Sequence, residues 1–179
     1  MPVNATPISN MSARIRRAAP DDVPTILAIE QAAPAASHWT AEQYQSRVQS
    51  SNKSSRTSSD KGPARTSAQR PVQSTCFLVA ECAGQVCGFI CARIVAGEWE
   101  IENVVVAEKF RRDGIAAKLM RSLIAQWEES AGTAVLLEVR ESNAAARALY
   151  TKCGFHEAGR RRGYYREPVE DAVLYARHR

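Results

Sequence analysis

A basic turn containing a glycine precedes a long amphipathic helix pattern and could bind a phosphate. The turn is residues 111–116, RRDGIA, and it follows a strand-like run of valines at 104–106. Backbone N–H groups at a helix start have no intrahelical partner and lie at the positive end of the helix dipole, so they attract anions. Gly114 lets the backbone approach such an anion, and the small Ala116 keeps the next turn uncrowded. The pattern alone is as typical of an ordinary solvated helix start.

A carboxylate lies in an otherwise apolar stretch further along the chain. Glu138 is the charged residue of the segment 135–139, VLLEV, which has the pattern of a buried strand. An unpaired charge in such surroundings is costly. Its presence favours a functional role. The structural alternative is a strand-end carboxylate that pairs with Arg140 or Arg147.

A tyrosine follows on a short helix that is predicted over residues 143–152. Asn143 and Tyr150 are two helical turns apart, so they lie on one face and can reach the same ligand. Each also has a structural interpretation. Asn143 is a suitable helix N-cap, and Tyr150 could be a core aromatic residue with a solvated hydroxyl.

Taken together, these segments resemble a known enzyme family. Residues 111–116 are similar to the Q/R-x-x-G-x-G/A pyrophosphate loop of the GNAT superfamily of acetyl-coenzyme-A-dependent N-acetyltransferases. Further segments resemble the RimI-type ribosomal-protein alanine N-acetyltransferases within it. These segments are 137–150 (LEVRESNAAARALY), 154–155 (GF), 161–165 (RRGYY) and 170–172 (EDA). The combination is far more specific than any one motif.

The resemblance implies both the chemistry and the residues that carry it. It implies acetyl transfer from acetyl-coenzyme A to the N-terminal alanine of a small-subunit ribosomal protein, by direct attack of the amine on the thioester. Glu138 matches the general base and Tyr150 the general acid that protonates the coenzyme thiolate. A carboxylate suffices because an α-amino group has a pKa of about 7.7 to 8.0, roughly 2.5 units below that of lysine. The coenzyme-binding positions implied are Val104, Val105, Val106, Arg111, Arg112, Asp113, Gly114, Ile115, Ala116, Ala117 and Asn143.

The resemblance also indicates a peptide-binding side. It places Trp39 and the loop at 160–171 beside the peptide, with Tyr164 and Tyr165 as aromatic contacts. Packing within a hairpin explains the tyrosine pair equally well.

Three glutamates alternate along the strand that precedes the valines. Glu102 is a further candidate for the peptide side, and Glu100 or Glu102 could share the role of base with Glu138. The alternative is a solvated strand face. The acids that could attract a basic peptide are Glu98, Glu100, Glu102, Glu167, Glu170 and Asp171.

The elements that must position these residues alternate in type along the chain. Helices are predicted after Pro20, after Thr40 as a short element, at 114–130 and at 143–152. Strands are predicted at 13–18, 76–82, 86–95, 99–106, 134–139, 155–160 and 171–176. This order predicts an α/β fold, a single GNAT-like domain whose mixed, mostly antiparallel central sheet is flanked by about four helices.

The chain has 179 residues and a net charge of +5, and most of that charge lies in one segment. Residues 50–71 hold nine Ser and Thr, two alanines as their apolar side chains and a net charge of +4, leaving +1 for the other 157 residues. The segment predicts a disordered basic insertion. We therefore expect a flexible tail at 1–12 and an acetyltransferase domain at 13–177, interrupted by this insertion. No stable nucleic-acid binding is expected, although an RNA tether is the alternative for the insertion.

Other features exclude further classes of function. The five cysteines form no C-x-x-C pair and the histidines show no ligand spacing, so no metal is expected. The sequence has neither a transmembrane run nor a signal-peptide pattern, which predicts a cytoplasmic monomer without membrane contact. Met11 is an alternative start. Two other functions stay open: a GNAT enzyme for a small amine or a lysine, and a non-catalytic module that binds acyl-coenzyme A or RNA.

Overall fold

The computed structural model describes residues 13–33, 39–54 and 73–179. The predicted tail, the alternative start at Met11 and residues 55–71 of the predicted insertion lie outside these ranges. The strands are β1 (Arg14–Arg17), β2 (Ser74–Cys82), β3 (Gln85–Val95), β4 (Glu98–Val106), β5 (Ala134–Arg140), β6 (His156–Arg166) and β7 (Val169–His178). The helices are α1 (Val23–Gln31), α2 (Ala41–Ser54), α3 (Ile115–Glu129) and α4 (Ala144–Lys152).

The strands form one sheet in the order β1-β2-β3-β4-β5-β7-β6. Every neighbouring pair is antiparallel except β4 and β5, which are parallel. A parallel pair needs a crossover connection, and α3 provides it. The predicted α/β fold with a mixed, mostly antiparallel sheet and four helices is therefore confirmed.

Helices cover both faces of the sheet. On one face, α3 packs with the predicted apolar stripe, and Leu119, Leu123 and Trp127 are buried there together with Tyr150 of α4. On the other face, α1 and α2 cover a second core. This core includes Ile26, Tyr44, Val48, Phe77 and Phe89. We call these the α3/α4 face and the α1/α2 face.

The sheet separates between its two parallel strands. β4 pairs with β5 only over residues 98–101 and 134–137. Beyond these residues β4 stays paired with β3, and β5 stays paired with β7. The walls of the resulting β4–β5 opening are residues 102–106 and 138–140. Among the described strands none pairs with this edge of β4, so its backbone groups can bind a ligand.

A β-bulge marks the start of this opening. Cys91 pairs with Asn103, whereas the next residue, Ala92, pairs with Ile101. Glu102 is thus an extra residue on β4, and such a residue bends the strand and redirects its side chains. Glu102 and Asn103 consequently both contact the helices of the α1/α2 face.

A second register shift changes the placement of one cysteine. Cys76 and Cys82 are buried on the α3/α4 face, in agreement with the predicted packing role. Strict alternation along β3 predicts that Cys87 shares a face with Phe89 and Cys91. The shift between β2 and β3 places Cys87 on the α3/α4 face instead, and the other two lie on the α1/α2 face.

Two elements are longer than the sequence predicts. Helix α2 extends to Ser54 and so includes residues 50–54 of the predicted insertion. Ser51 is buried there, and its Oγ accepts a hydrogen bond of 3.1 Å from the backbone N–H of Phe77. The predicted loop at 160–171 is wrong, because β6 and β7 form a hairpin joined by two residues. Strand β6 is mostly exposed, so its sequence lacks the alternation of apolar and polar residues by which a strand is predicted.

Candidate active site

The basic turn has the backbone geometry of an anion-binding helix start. Gly114 is the N-cap of α3, with φ of +74°, and a Cβ on it would meet nothing within 4 Å. The first hydrogen bond of the helix runs from the N–H of Lys118 to the Gly114 carbonyl, at 3.0 Å. The preceding N–H groups therefore have no intrahelical partner, so they can bind an anion.

The turn is attached to the end of β4. Arg111 Nε donates to the backbone carbonyl of Val106 at 3.2 Å. Arg112 and Asp113 are exposed, whereas Ile115 is buried and anchors the helix. Arg111 thus links the turn to the end of β4, so the predicted coenzyme positions of these two segments lie next to each other. A diphosphate group fits the helix start, and an extended amide chain fits the free edge of β4.

Asn143 has a structural role in the described chain. It is the N-cap of α4, and its Oδ1 accepts from the Ala146 N–H at 3.2 Å. The predicted N-cap is therefore present, and a contact between Asn143 and the coenzyme remains a prediction.

Tyr150 lies in the α3/α4 core with its ring against two other aromatic residues. The ring centroids of Phe155 and Tyr175 are 6.2 and 6.1 Å away. Burial raises the pKa of Tyr150 to about 12. In the part of the chain that the structure describes, its hydroxyl has no hydrogen-bond partner. Tyr150 therefore holds its proton at neutral pH and has that proton available for a ligand.

Glu138 lies on β5 at the wall of the opening and is half-buried. Its Oε1 is 3.2 Å from Nη2 of Arg161, and the Tyr164 hydroxyl also donates to its carboxylate. The negative charge of Glu138 is the main cause of a raised pKa of Tyr164. The carboxylate thus has one cationic and one neutral donor.

The predicted structural partners of Glu138 are wrong. Arg140 pairs with Glu170 at 3.4 Å, and Arg147 pairs with Glu157 at 3.7 Å. Sequence reasoning missed Arg161 because β6 was predicted to end at residue 160. A strand continuing through 161–165 would have placed this arginine across β7 from β5.

The two tyrosines beside Glu138 lie on β6 and pack against each other. Tyr164 and Tyr165 pack edge to face with centroids 5.2 Å apart, and the Arg140 guanidinium lies 4.0 Å above Tyr165. Tyr164 is 47% exposed, whereas Tyr165 is half-buried. Tyr165 packs in the hairpin, as one interpretation predicts, and Tyr164 presents an exposed ring next to Glu138, so a contact of either ring with a peptide remains a prediction.

Trp39 and Glu102 are joined by a residue that sequence reasoning did not single out. Arg47 of α2 donates to both oxygens of Glu102, at 3.0 and 3.1 Å. The same guanidinium lies 3.7 Å from the ring centroid of Trp39. This bidentate pair fixes Glu102 at the bulge.

The acidic surface that was expected to attract a basic peptide is largely neutralised. Glu100 pairs with Arg93, in addition to the pairs of Glu102 with Arg47 and Glu170 with Arg140. The carboxylate of Asp171 accepts from the backbone N–H of Gly163 at 2.8 Å. The structure therefore gives little support for steering of a basic peptide by these acids.

Within the described ranges, no three side chains of the types His, Cys, Asp and Glu lie close enough to hold a metal ion. The longest helix there has 15 residues, and none combines the length and hydropathy of a bilayer crossing.

Comparison with known proteins defines the class. Residues 34–155, more than half of the chain, match the acetyltransferase (GNAT) family. The chain therefore belongs to the GNAT acetyltransferase family, which confirms the family that its sequence resembles.

Particular relatives narrow the similarity further. The chain is 38% identical over 95 residues to the [ribosomal protein bS18]-alanine N-acetyltransferase of Escherichia coli, covering 52% of this chain and 64% of that protein. It is 39% identical over 116 residues to an N-alpha-acetyltransferase of Sulfurisphaera tokodaii, and the match covers 56% of this chain and 67% of that protein. The crystal structure of the E. coli ribosomal-protein-S18-alanine N-acetyltransferase superposes with a TM-score of 0.69 at 28% identity, over 92% of each chain. The chain thus spans slightly less than two thirds of the length of the E. coli relative in the sequence comparison.

Proposed function

We propose that this protein transfers an acetyl group from acetyl-coenzyme A to the N-terminal α-amino group of a protein, and that the substrate is a small-subunit ribosomal protein beginning with alanine. The observation that carries the proposal is the β4–β5 opening, which has Glu138 on one wall and leads to the anion-binding start of α3. The names of the E. coli and S. tokodaii relatives support the choice of an α-amino substrate.

The turn and the free edge of β4 would hold the coenzyme. The N–H groups of Ile115, Ala116 and Ala117, with Arg111 and Arg112, present positive charge to its diphosphate. Residues 104–106 pair with β3 along one edge, and the edge that faces the opening can bind the amide arm, with the Val106 carbonyl already held by Arg111. Bound acetyl-coenzyme A supplies a thioester carbonyl that an amine can attack.

We expect Gly114→Ala to weaken coenzyme binding because an L side chain disfavours φ of +74°. The left-handed conformation costs about 1 kcal/mol of folding free energy. The KM for acetyl-coenzyme A should rise, since relaxation of this strain moves the N–H groups of the turn. Steady-state kinetics and urea unfolding measure the two effects.

Gly84→Ala is the matched control for this prediction. Gly84 has φ of +75° and equally open surroundings, but it lies in the β2–β3 hairpin. It should lose similar stability with an unchanged KM for acetyl-coenzyme A. Equal KM values in both variants and the wild type would contradict the placement of the coenzyme.

Glu138 is the group in the opening that can accept the amine proton. A substrate α-ammonium carries the same charge as the guanidinium of Arg161, so the two compete for the carboxylate. The side chain of Arg161 is 55% exposed. An ion pair of this exposure contributes little, so the substrate can displace it readily. Glu138 then takes the proton from the ammonium group and leaves a neutral nitrogen to attack.

Tyr150 is the group that can supply a proton to the departing thiolate. Its hydroxyl stays protonated at neutral pH, because burial raises its pKa to about 12. The hydroxyl donates a hydrogen bond to the sulfur while the carbon–sulfur bond breaks, which stabilises the developing negative charge, and its proton can then pass to the thiolate. The nitrogen releases a second proton to solvent when the amide forms. Tyr150 then regains a proton from solvent and Glu138 returns its proton to solvent, so each turnover releases one proton.

Deletion of the gene tests the proposed substrate in the cell. We expect a small-subunit ribosomal protein with N-terminal alanine to lose its acetyl group, as measured by intact-protein mass spectrometry of purified ribosomes. A plasmid copy of the wild type should restore the modification, and a copy carrying Glu138→Gln should not. Unchanged masses of all small-subunit proteins in the deletion strain would exclude the ribosomal assignment.

A further inference from the structure

A buried carboxylate that the proposed chemistry does not use lies beneath the α1/α2 face. Glu30 is on the last turn of α1 and is 1% exposed. Its Oε1 accepts hydrogen bonds from the backbone N–H of Trp39 and from Nδ2 of Asn103, both at 3.2 Å. The Tyr44 hydroxyl also donates to this carboxylate and accepts from Asn103 Nδ2 at 3.2 Å. These four residues form the Glu30 network.

The donors to Glu30 are neutral, and the described part of the chain gives it no ion pair. A buried carboxylate is costly unless hydrogen bonds compensate it, and bonds to an ionised acceptor are stronger than bonds between neutral groups. Burial, followed by the adjacent Glu30 carboxylate, raises the pKa of Tyr44, so the hydroxyl keeps the proton that it donates. An apolar side chain would fill this space without the cost of burying a charge.

The Glu30 network joins the parts of the fold that border the substrate side. Glu30 belongs to α1, Tyr44 to α2, and Trp39 to the connection between these helices. Asn103 lies next to the bulge of β4, within the wall of the opening. Arg47 reinforces the same junction, because it binds Glu102 and lies over the Trp39 ring.

The network has no contact with the coenzyme turn. Its members lie in the α1/α2 core or at its edge, whereas the helix that follows the turn packs on the opposite face of the sheet. A change in the network therefore moves the bulge and Trp39 relative to Glu138, and leaves the residues at 111–117 in place.

We infer that Glu30 is a positioning residue, which with Tyr44 and Asn103 holds the β4 bulge and Trp39 in the geometry that places the substrate amine against Glu138. This inference rests on the proposed function, since it concerns the amine side of that site. It predicts that loss of the carboxylate affects the amine substrate and spares acetyl-coenzyme A.

The main experiment compares Glu30→Gln with Asp22→Asn in the full chain. Asp22 is a suitable control because it is a buried carboxylate at the other end of α1, bound to Arg16 at 2.7 Å and outside the network. For Glu30→Gln we expect kcat/KM for the amine to fall at least about fivefold, with an unchanged KM for acetyl-coenzyme A. Asp22→Asn should lower the free energy of unfolding and leave both kinetic constants unchanged.

Tyr44→Phe provides a second variant if Glu30→Gln does not fold. It removes one hydroxyl from the network and keeps the aromatic packing, so a smaller loss of kcat/KM for the amine is expected. Hydrogen exchange gives a readout that is independent of turnover. The backbone amides of Trp39 and Asn103 should exchange faster in both variants, whereas those of α3 should not.

The outcomes separate this inference from the proposed function. If the wild type acetylates only small amines, the assignment of an N-terminal substrate is overturned. The kcat/KM values of the variants are then measured with the small amine that the wild type accepts. Wild-type kcat/KM for the accepted amine, together with unchanged exchange at Trp39 and Asn103, overturns the positioning role. A parallel increase in the KM for acetyl-coenzyme A also overturns it, because the effect would then be a general loss of structure.

Discussion

Glu138→Gln should lower kcat for an N-terminal peptide at least about tenfold, which corresponds to about 1.4 kcal/mol of activation free energy. Glutamine keeps the shape of the side chain and can still contact Arg161 and Tyr164, but it cannot accept the ammonium proton. The loss should therefore be in kcat, with a small change in the KM for acetyl-coenzyme A. Release of the coenzyme thiol under saturating conditions measures it.

Glu128→Gln is the matched control for this prediction. Glu128 also pairs with an arginine, Arg177, at 2.7 Å, but it lies near the C-terminal end of α3. Its variant should retain the wild-type kcat. If Glu138→Gln also retained it, the base would have to be another group. Glu100 would then be the next carboxylate to replace, because it lies on the adjacent strand.

Tyr150→Phe should also lower kcat at least about tenfold. The substitution keeps the ring that packs between Phe155 and Tyr175 and removes the hydroxyl that holds a proton at neutral pH. The thiolate must then leave without a proton donor. Because Tyr150 is protonated at neutral pH, the loss of kcat should already be seen at neutral pH. Thermal unfolding should show that the variant is folded.

Tyr175→Phe distinguishes chemistry from packing in this pair. Tyr175 is buried in the same core, and its hydroxyl accepts a hydrogen bond of 3.4 Å from Nε of Arg147. We expect a modest loss of stability and little change in kcat. Equal losses of kcat in both phenylalanine variants would mean that the aromatic cluster, and not the Tyr150 proton, supports turnover. If both Glu138→Gln and Tyr150→Phe kept full activity, the chemistry would lie elsewhere.

Much of the fold could be predicted because its signals are local. The period of four in α3 and the alternation in β4 reflect burial on one face, so Leu119, Leu123 and Trp99 are buried as their spacing predicts. Helix α2 is polar, and its extension to Ser54 depends on Ser51, a polar residue that is buried only because it caps a backbone group of β2. Composition gives no indication of such a contact.

The candidate site shows the same division between local and non-local features. The turn around Gly114 is contiguous in sequence, so its helix start and positive φ could be anticipated. The β4–β5 opening, the bulge at Glu102 and the pairing of Glu138 with Arg161 depend on strand registers. A bulge and the point at which two strands stop pairing depend on contacts between residues distant in the chain, so neither strand's own sequence reveals them.

The most direct test of the account locates the acetyl group on a peptide that offers two amines. The purified protein is incubated with acetyl-coenzyme A and a peptide that begins with alanine and contains an internal lysine, and the product is fragmented in a mass spectrometer. The account predicts one acetyl group on the α-amino nitrogen of the alanine, with formation that depends on Glu138. Acetylation of the lysine side chain alone, or of neither amine, would contradict it.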